Sequence, residues 1–172
     1  MNNPQTGPVH QKSAENESGM FLAFVFWFVA GALLVAADQY IKRAAFGGPF
    51  MAWLDAGFPY FYKSLYKNFR FAFSLPVPAP LMYAAYAAVI GAIAWHLAVS
   101  FRGMGRAARA GWTLILAGAV SNVAERAALG YVRDFIYVLH GIFNVADGYI
   151  LAGIAILLWR QNEGLKIEKL KK

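Results

Sequence analysis

The chain has 172 residues, of which 59% are hydrophobic and none is cysteine, and it carries a formal net charge of +7. Its mean hydropathy of +0.44 is too high for an ordinary soluble domain of this length. The lack of cysteine excludes disulfides, a thiol nucleophile and a cysteine-based metal site.

The first segment, "MNNPQTGPVHQKSAENES", is polar and rich in Pro, Asn and Ser, and residues 1–19 read as a disordered cytoplasmic tail. Residues 20–37 contain no charge and form the first predicted span. This span is read as retained rather than cleaved. The preceding tail has one lysine against two glutamates, so it lacks the basic start of a secretory signal. Asp38 and Lys42 follow at i, i+4, where an acid N-terminal to a base pairs well. Residues 43–78 hold many aromatics, among them Phe46, Trp53, Tyr60, Phe69, Phe71 and Phe73. The alternation in "NFRFAFS", beginning at Asn68, predicts a strand. This loop is expected to form a small sheet lying on the outer leaflet and closing over a cleft.

Residues 80–101 make a second span, with His96 as its titratable group. The connection "SFRGMGRAARAG" then carries three arginines and no acid. Residues 111–124 are apolar or small, and their helical pattern runs on to Leu129 through Asn122, Glu125 and Arg126. Residues 145–159 are apolar except for Asp147, and a basic tail closes the chain at residues 161–172. With its flanks, each apolar segment reaches the roughly 20 residues of helix that a bilayer core requires. The fold class expected is therefore a membrane all-α bundle of four transmembrane helices with a small extracytoplasmic β-sheet/loop subdomain, in one domain over residues 20–160. The basic middle connection and tail place both termini in the cytoplasm, against the contrary Lys42, Arg43, Lys63, Lys67 and Arg70 in the long loop, which counts for less because it is long. These flanks account for the positive charge, so nucleic acid is not expected as a partner.

Two carboxylates stand out. Asp134 in "YVRDFIYV" and Asp147 in "FNVADGYI" each sit at the edge of an apolar stretch. Ionisable groups at membrane depth cost about 2.5–3.5 kcal/mol each on insertion scales, and mark candidate functional sites. Twelve residues lie between them, so the end of the third span can meet the start of the fourth. Gly118, Asn122, Glu125 and Arg126 share one face of the third helix, and Asn144 and Asp147 are spaced i, i+3. Taken singly, these polar groups have plainer readings. Asn122 or Asn144 could bond across helices, Glu125 and Arg126 could neutralise each other, and Asp38–Lys42 could be an interfacial ion pair. Gathered at the outer ends of three helices, they point to a shared polar cavity. His10, His96 and His140 have no ligand spacing, so neither a metal nor a cofactor is expected.

Four segments in order resemble the lipoprotein signal peptidases of bacteria, also called signal peptidase II. They are "DQYIK" at 38–42, "NFRFAFS" at 68–74, "AGAVSNVAERAALGYVRDFI" at 117–136 and "FNVADGYI" at 143–150. The second is similar to that family's Asn-x-Gly-x-Ala-Phe box, the third to its Gly-Gly-x-x-Gly-Asn-x-x-Asp-Arg box followed by Val-x-Asp-Phe, and the fourth to its Phe-Asn-x-Ala-Asp-x-x-Ile box. The resemblance implies an aspartic endopeptidase of the bacterial inner membrane, monomeric and embedded in lipid, with its site near the outer leaflet. It implies a diacylglyceryl-modified prolipoprotein as substrate, cut just before the lipidated cysteine. Asp134 and Asp147 match the catalytic pair. Asp38, Asn68, Asn122, Arg126 and Asn144 match residues that line the site and hold substrate. Three positions depart from the pattern: Glu125 replaces an aspartate, and Arg70 and Ser121 replace glycines. Two other readings of the intramembrane acids are a non-catalytic relative that binds lipidated peptides and a small membrane transport subunit. The chain offers no inverted repeat for the latter.

Overall fold

The computed structural model describes residues 8–47, 65–69, 77–138 and 141–170. Four long helices carry the architecture: α1 (Pro8–Phe46), α2 (Ala79–Ser100), α3 (Arg106–Leu129) and α4 (Val145–Leu170). α1 begins inside the stretch whose composition reads as disordered, and α4 continues into the basic tail. Helix propagation is cooperative, so an established apolar helix extends into polar flanks at little cost. Pro80 sits in the first turn of α2, where its missing N–H leaves no bond unmade. α2 ends in a 3-10 turn at Phe101–Gly103. α3 stops at Gly130, which adopts φ 80° and donates its N–H to the Arg126 carbonyl at 2.8 Å. Glycine enters that left-handed cap without the Cβ penalty of other residues.

The short strands form two antiparallel pairs. β1 (Tyr66–Asn68) pairs with β2 (Val132–Asp134), with Tyr66 opposite Asp134 and Asn68 opposite Val132. β3 (Ile136–Val138) pairs with β4 (Gly141–Phe143), with Ile136 opposite Phe143. The strand expected from Asn68 onward therefore overlaps β1 at Asn68, while residues 70–76 lie outside the described residues, as does most of the aromatic loop. β2, β3 and β4 were not legible in the sequence. Three residues are too few to show a period of two.

Charge and apolar surface are distributed inversely to a water-soluble protein. Phe28, Trp95 and Trp159 are about 70% exposed, whereas Asp38 and Lys42 have no exposed surface. Glu125, Arg126 and Asp134 are also buried. Large apolar side chains outside and paired charges inside suit a hydrocarbon solvent. Residues Glu17–Phe46 and Ala79–Gly103 are long and apolar enough to cross a membrane by length and composition.

Helices α3 and α4 meet along a seam of small residues. A Cβ on Gly118 would stand 2.4 Å from the Ala146 carbonyl oxygen, and one on Gly153 would stand 2.5 Å from the Gly111 carbonyl oxygen. Only the absence of side chains permits that approach. The consequence is positional: the first turn of α4, with Asp147, is pressed against the C-terminal half of α3, with Asn122.

Candidate active site

The site begins with how α4 starts. Asn144 precedes the first helical residue, and its Oδ1 accepts the backbone N–H of Asp147 at 3.1 Å. Asp147 returns the bond, its Oδ2 accepting the backbone N–H of Asn144 at 3.1 Å. This reciprocal arrangement is a capping box, with Asp147 in the place usually taken by Glu. The remaining amide donor of Asn144, Nδ2, reaches Asp134 Oδ1 at 2.6 Å. One asparagine therefore touches both candidate acids and fixes its own amide orientation in doing so.

Asp134 ends β2. The residue after it, Phe135, donates its N–H to the Phe143 carbonyl at 2.9 Å, which brings Asn144 alongside. Asn68 and Asp134 lie on the same face of the β1–β2 ladder, two positions apart in register. Asn68 Nδ2 donates to Asp134 Oδ2 at 3.0 Å. Burial pushes the Asp134 carboxyl up to about 6; bonds from Asn144 and Asn68 oppose that rise, and the charge of Asp147 adds to it. Asp147 Oδ1 accepts from Asn122 Nδ2 at 2.9 Å.

Arg126 joins three elements. Its Nη1 donates to Tyr86 Oη at 2.7 Å on α2, and its Nη2 reaches the Asn68 carbonyl at 3.4 Å. Tyr83 Oη donates to the Arg126 carbonyl at 3.1 Å. A cavity of about 330 Å³ opens among these groups, lined by Asn68, Tyr86, Asn122, Arg126, Asp134, Asn144 and Asp147 over an apolar floor that includes Val89, Ile93 and Ile150. Two carboxylates, a guanidinium and three primary amides around an apolar-floored cleft can hold an extended peptide and activate a water beside it.

Six of the seven residues singled out from the sequence thus line one cavity. Asp38 is the exception. It is fully buried and holds the frame: its Oδ1 accepts the Ala146 N–H at 2.8 Å, and its Oδ2 accepts from Ser121 Oγ at 2.6 Å and pairs with Lys42 at 2.8 Å. An anion at a helix N-terminus is favourable, so Asp38 secures α4 rather than facing the cleft. Glu125 and Arg126 do not neutralise each other. Glu125 pairs with Lys42 at 3.1 Å and with Arg133, because residues one apart point to different sides of a helix.

A sequence model described as Signal peptidase (SPase) II matches residues 30–162, most of the chain. The chain belongs to the signal peptidase II family. A lipoprotein signal peptidase of Streptococcus pneumoniae is 33% identical over 135 residues, covering 73% of this chain and 85% of that protein. One from Mesorhizobium japonicum is 31% identical over 160 residues, covering 83% of this chain and 90% of that protein. The fold resembles a bacterial membrane enzyme solved by the in meso method at 2.3 Å, with a TM-score of 0.63, 20% identity, and coverage of 86% of this chain and 92% of that one. Membership of signal peptidase II makes this chain a peptidase of the membrane, and its mostly helical fold with small sheets agrees.

Some residues of this candidate site and of the frame behind it went unmarked in the sequence. Tyr86 is one, although Tyr83 and Tyr86 at i, i+3 in an alanine-rich helix mark a polar face. Gln39 is another, donating to the Ser121 hydroxyl at 2.9 Å. Ser121, noted as a departure from glycine, supplies the hydroxyl that Asp38 accepts. Arg70, the other glycine replacement, lies outside the described residues.

Proposed function

We propose that this chain is an aspartic endopeptidase that removes the signal peptide from diacylglyceryl-modified prolipoproteins, cutting before the lipidated cysteine. The observation that carries this reading is that Asp134 and Asp147, linked through Asn144, open on the same cavity. Two carboxylates in one desolvated site do not both ionise cheaply, so they share a proton. The ionised member takes a proton from water as it attacks the scissile carbonyl. The protonated member donates to the carbonyl oxygen and then to the leaving nitrogen. The titration belongs to the pair rather than to either residue. Asn68, Asn122 and Asn144 offer amide donors to the acids, and Arg126 faces the cleft with a fixed positive charge for peptide carbonyls. The thioether belongs to the substrate, which is why a chain without cysteine can serve.

In this reading all four helices cross the inner membrane, with both termini in the cytoplasm and the site near the outer leaflet. Arg102, Arg106 and Arg109 then lie on the cytoplasmic side, in keeping with the positive-inside rule. α3 and α4 carry their charge toward the bundle interior, so they cross with an apolar face to lipid. The enzyme acts as a monomer, on a substrate whose acyl chains remain in the bilayer.

The test is incubation of the purified protein with a diacylglyceryl-modified prolipoprotein, reading signal-peptide release. Release that depends on the diacylglyceryl group is expected. A wild-type protein that is folded in detergent yet releases nothing would refute the reading.

A further inference from the structure

Among the described residues, two fully buried charges lie outside the cleft. Lys42 on α1 and Glu125 on α3 have no exposed side-chain surface, and they face each other at 3.1 Å. An ammonium has three N–H bonds and no acceptor. Lys42 directs one each at Asp38 (2.8 Å), Glu125 (3.1 Å) and Asn122 Oδ1 (2.7 Å). The bond to Asn122 has a consequence for the acid beyond it. Because Lys42 can only donate, the Asn122 amide must turn its oxygen to Lys42 and its NH2 to Asp147, whose Oδ1 it meets at 2.9 Å. A neutral side chain at position 42 that both donates and accepts would permit the flipped amide, with its oxygen set against the carboxylate.

Glu125 acts on the other acid. Its Oε2 accepts the backbone N–H of Arg133 at 3.2 Å, and its Oε1 accepts Arg133 Nε. Arg133 immediately precedes Asp134 in β2. The carboxylate therefore clamps the strand by main chain and side chain together, one residue before the acid. Glutamate, a methylene longer than the aspartate expected from the family pattern, meets Lys42 and both Arg133 groups at once.

We propose that the Lys42–Glu125 ion pair is the positioning device of this active site: Lys42 sets Asp147 through Asn122, and Glu125 sets Asp134 through Arg133. This rests on reading Asp134 and Asp147 as the reacting acids. A pair that served folding alone would alter the amount of folded enzyme but not the turnover of each folded molecule. A positioning pair alters turnover, because a displacement of about 1 Å at reacting groups costs on the order of 100-fold in rate.

The experiment uses the full-length protein, with Lys42→Met, Glu125→Gln and the two combined. kcat and KM are measured with a diacylglyceryl-modified prolipoprotein, and thermal unfolding is measured alongside. The double variant leaves neither member of the pair as an unpartnered buried charge, and Asp38, which loses Lys42, keeps its bonds from Ser121 and the Ala146 N–H, so this variant is the one expected to fold. In the folded double variant kcat should drop roughly 100-fold with KM within about threefold, the signature of a contribution made in the transition state. Glu125→Asp should retain more of kcat than Glu125→Gln, since it keeps the charge at a shorter reach. A folded double variant with kcat within about threefold of wild type would overturn the proposal. If the double variant does not fold, the isosteric Glu125→Gln decides alone: kcat near wild type overturns the proposal, and about a tenfold or larger loss at constant KM supports it. Absence of release by the folded wild type would refute the peptidase reading itself, whereas release by wild type with unchanged turnover in the variants refutes positioning alone.

Discussion

Asn144 caps α4 and also donates to Asp134, and substitution separates the two roles. Asn144→Ala removes the cap that accepts the Asp147 N–H and the donor that meets Asp134 Oδ1 at 2.6 Å. Loss of an N-cap costs about 1 kcal/mol. Loss of a bond to a carboxylate adds about 1.5–3 kcal/mol where that acid is ionised. The folded protein should therefore lose about 2.5–4 kcal/mol near neutral pH. The same loss acts on titration. Asp134 is already held near 6 against the opposing bond from Asn144, so removing that bond moves it higher. The pH–rate profile for signal-peptide release should shift toward higher pH accordingly. Asn144→Asp supplies the contrast. Aspartate caps as well as asparagine, but it presents Asp134 with an acceptor in place of a donor. Its helix start should hold while its activity falls further than that of Asn144→Ala. Detergent-solubilised protein, denaturant unfolding and single-turnover cleavage from pH 5 to 9 provide the assays. Asn144→Ala with an unshifted profile, or Asn144→Asp with wild-type turnover, would refute the claim that Asn144 joins the two acids.

Asp134→Asn and Asp147→Asn should each abolish release, by about 10⁴-fold or more, while thermal unfolding shows a folded protein; near-normal turnover in either would end the aspartic mechanism. The raised carboxyl of Asp134 also predicts a pH-dependent stability. Its folded value of about 6 exceeds the ordinary 3.8, so the folded state holds the proton more tightly than the unfolded chain. That contribution is complete below pH 3.8, declines by about 2–3 kcal/mol as pH rises to 6, and is flat above. Asp134→Asn should show a shallower decline across that window in thermal unfolding; an identical slope would show that Asp134 is not the group responsible. Gly118→Ala places a Cβ 2.4 Å from the Ala146 carbonyl oxygen, forcing α4 outward at the turn that carries Asp147. A stability loss of about 1–3 kcal/mol and reduced turnover are expected, read by unfolding and cleavage together. Chelators and thiol reagents should leave cleavage unchanged, tested directly with EDTA and an alkylating agent.

Local spacing made part of this legible in the sequence. The charge-free and nearly charge-free stretches of α1 and α2 declare helices of membrane length. The i, i+4 pair of Asp38 and Lys42 and the i, i+3 pair of Asn144 and Asp147 are interactions within one helix, which a periodicity of 3.6 residues displays directly. The four boxes named the two acids and most residues of the cleft. The tertiary structure decided which distant groups meet. Asp38 bonds the Ala146 N–H across 108 residues, and Asn68 bonds Asp134 across 66. Those partners depend on the register in which α3 and α4 pack. That register is set by the close approach of backbones at Gly118 and Gly153, which no property of either helix alone reports. Glu125 shows the difference most sharply. In sequence it stands beside Arg126 and invites pairing, but adjacent helical residues diverge by about 100°, so the fold sends Arg126 to the cleft and Glu125 to Lys42 and Arg133. Helices and acids follow from short-range chemistry, whereas the assignment of each acid to its partners follows from packing between elements far apart in the chain.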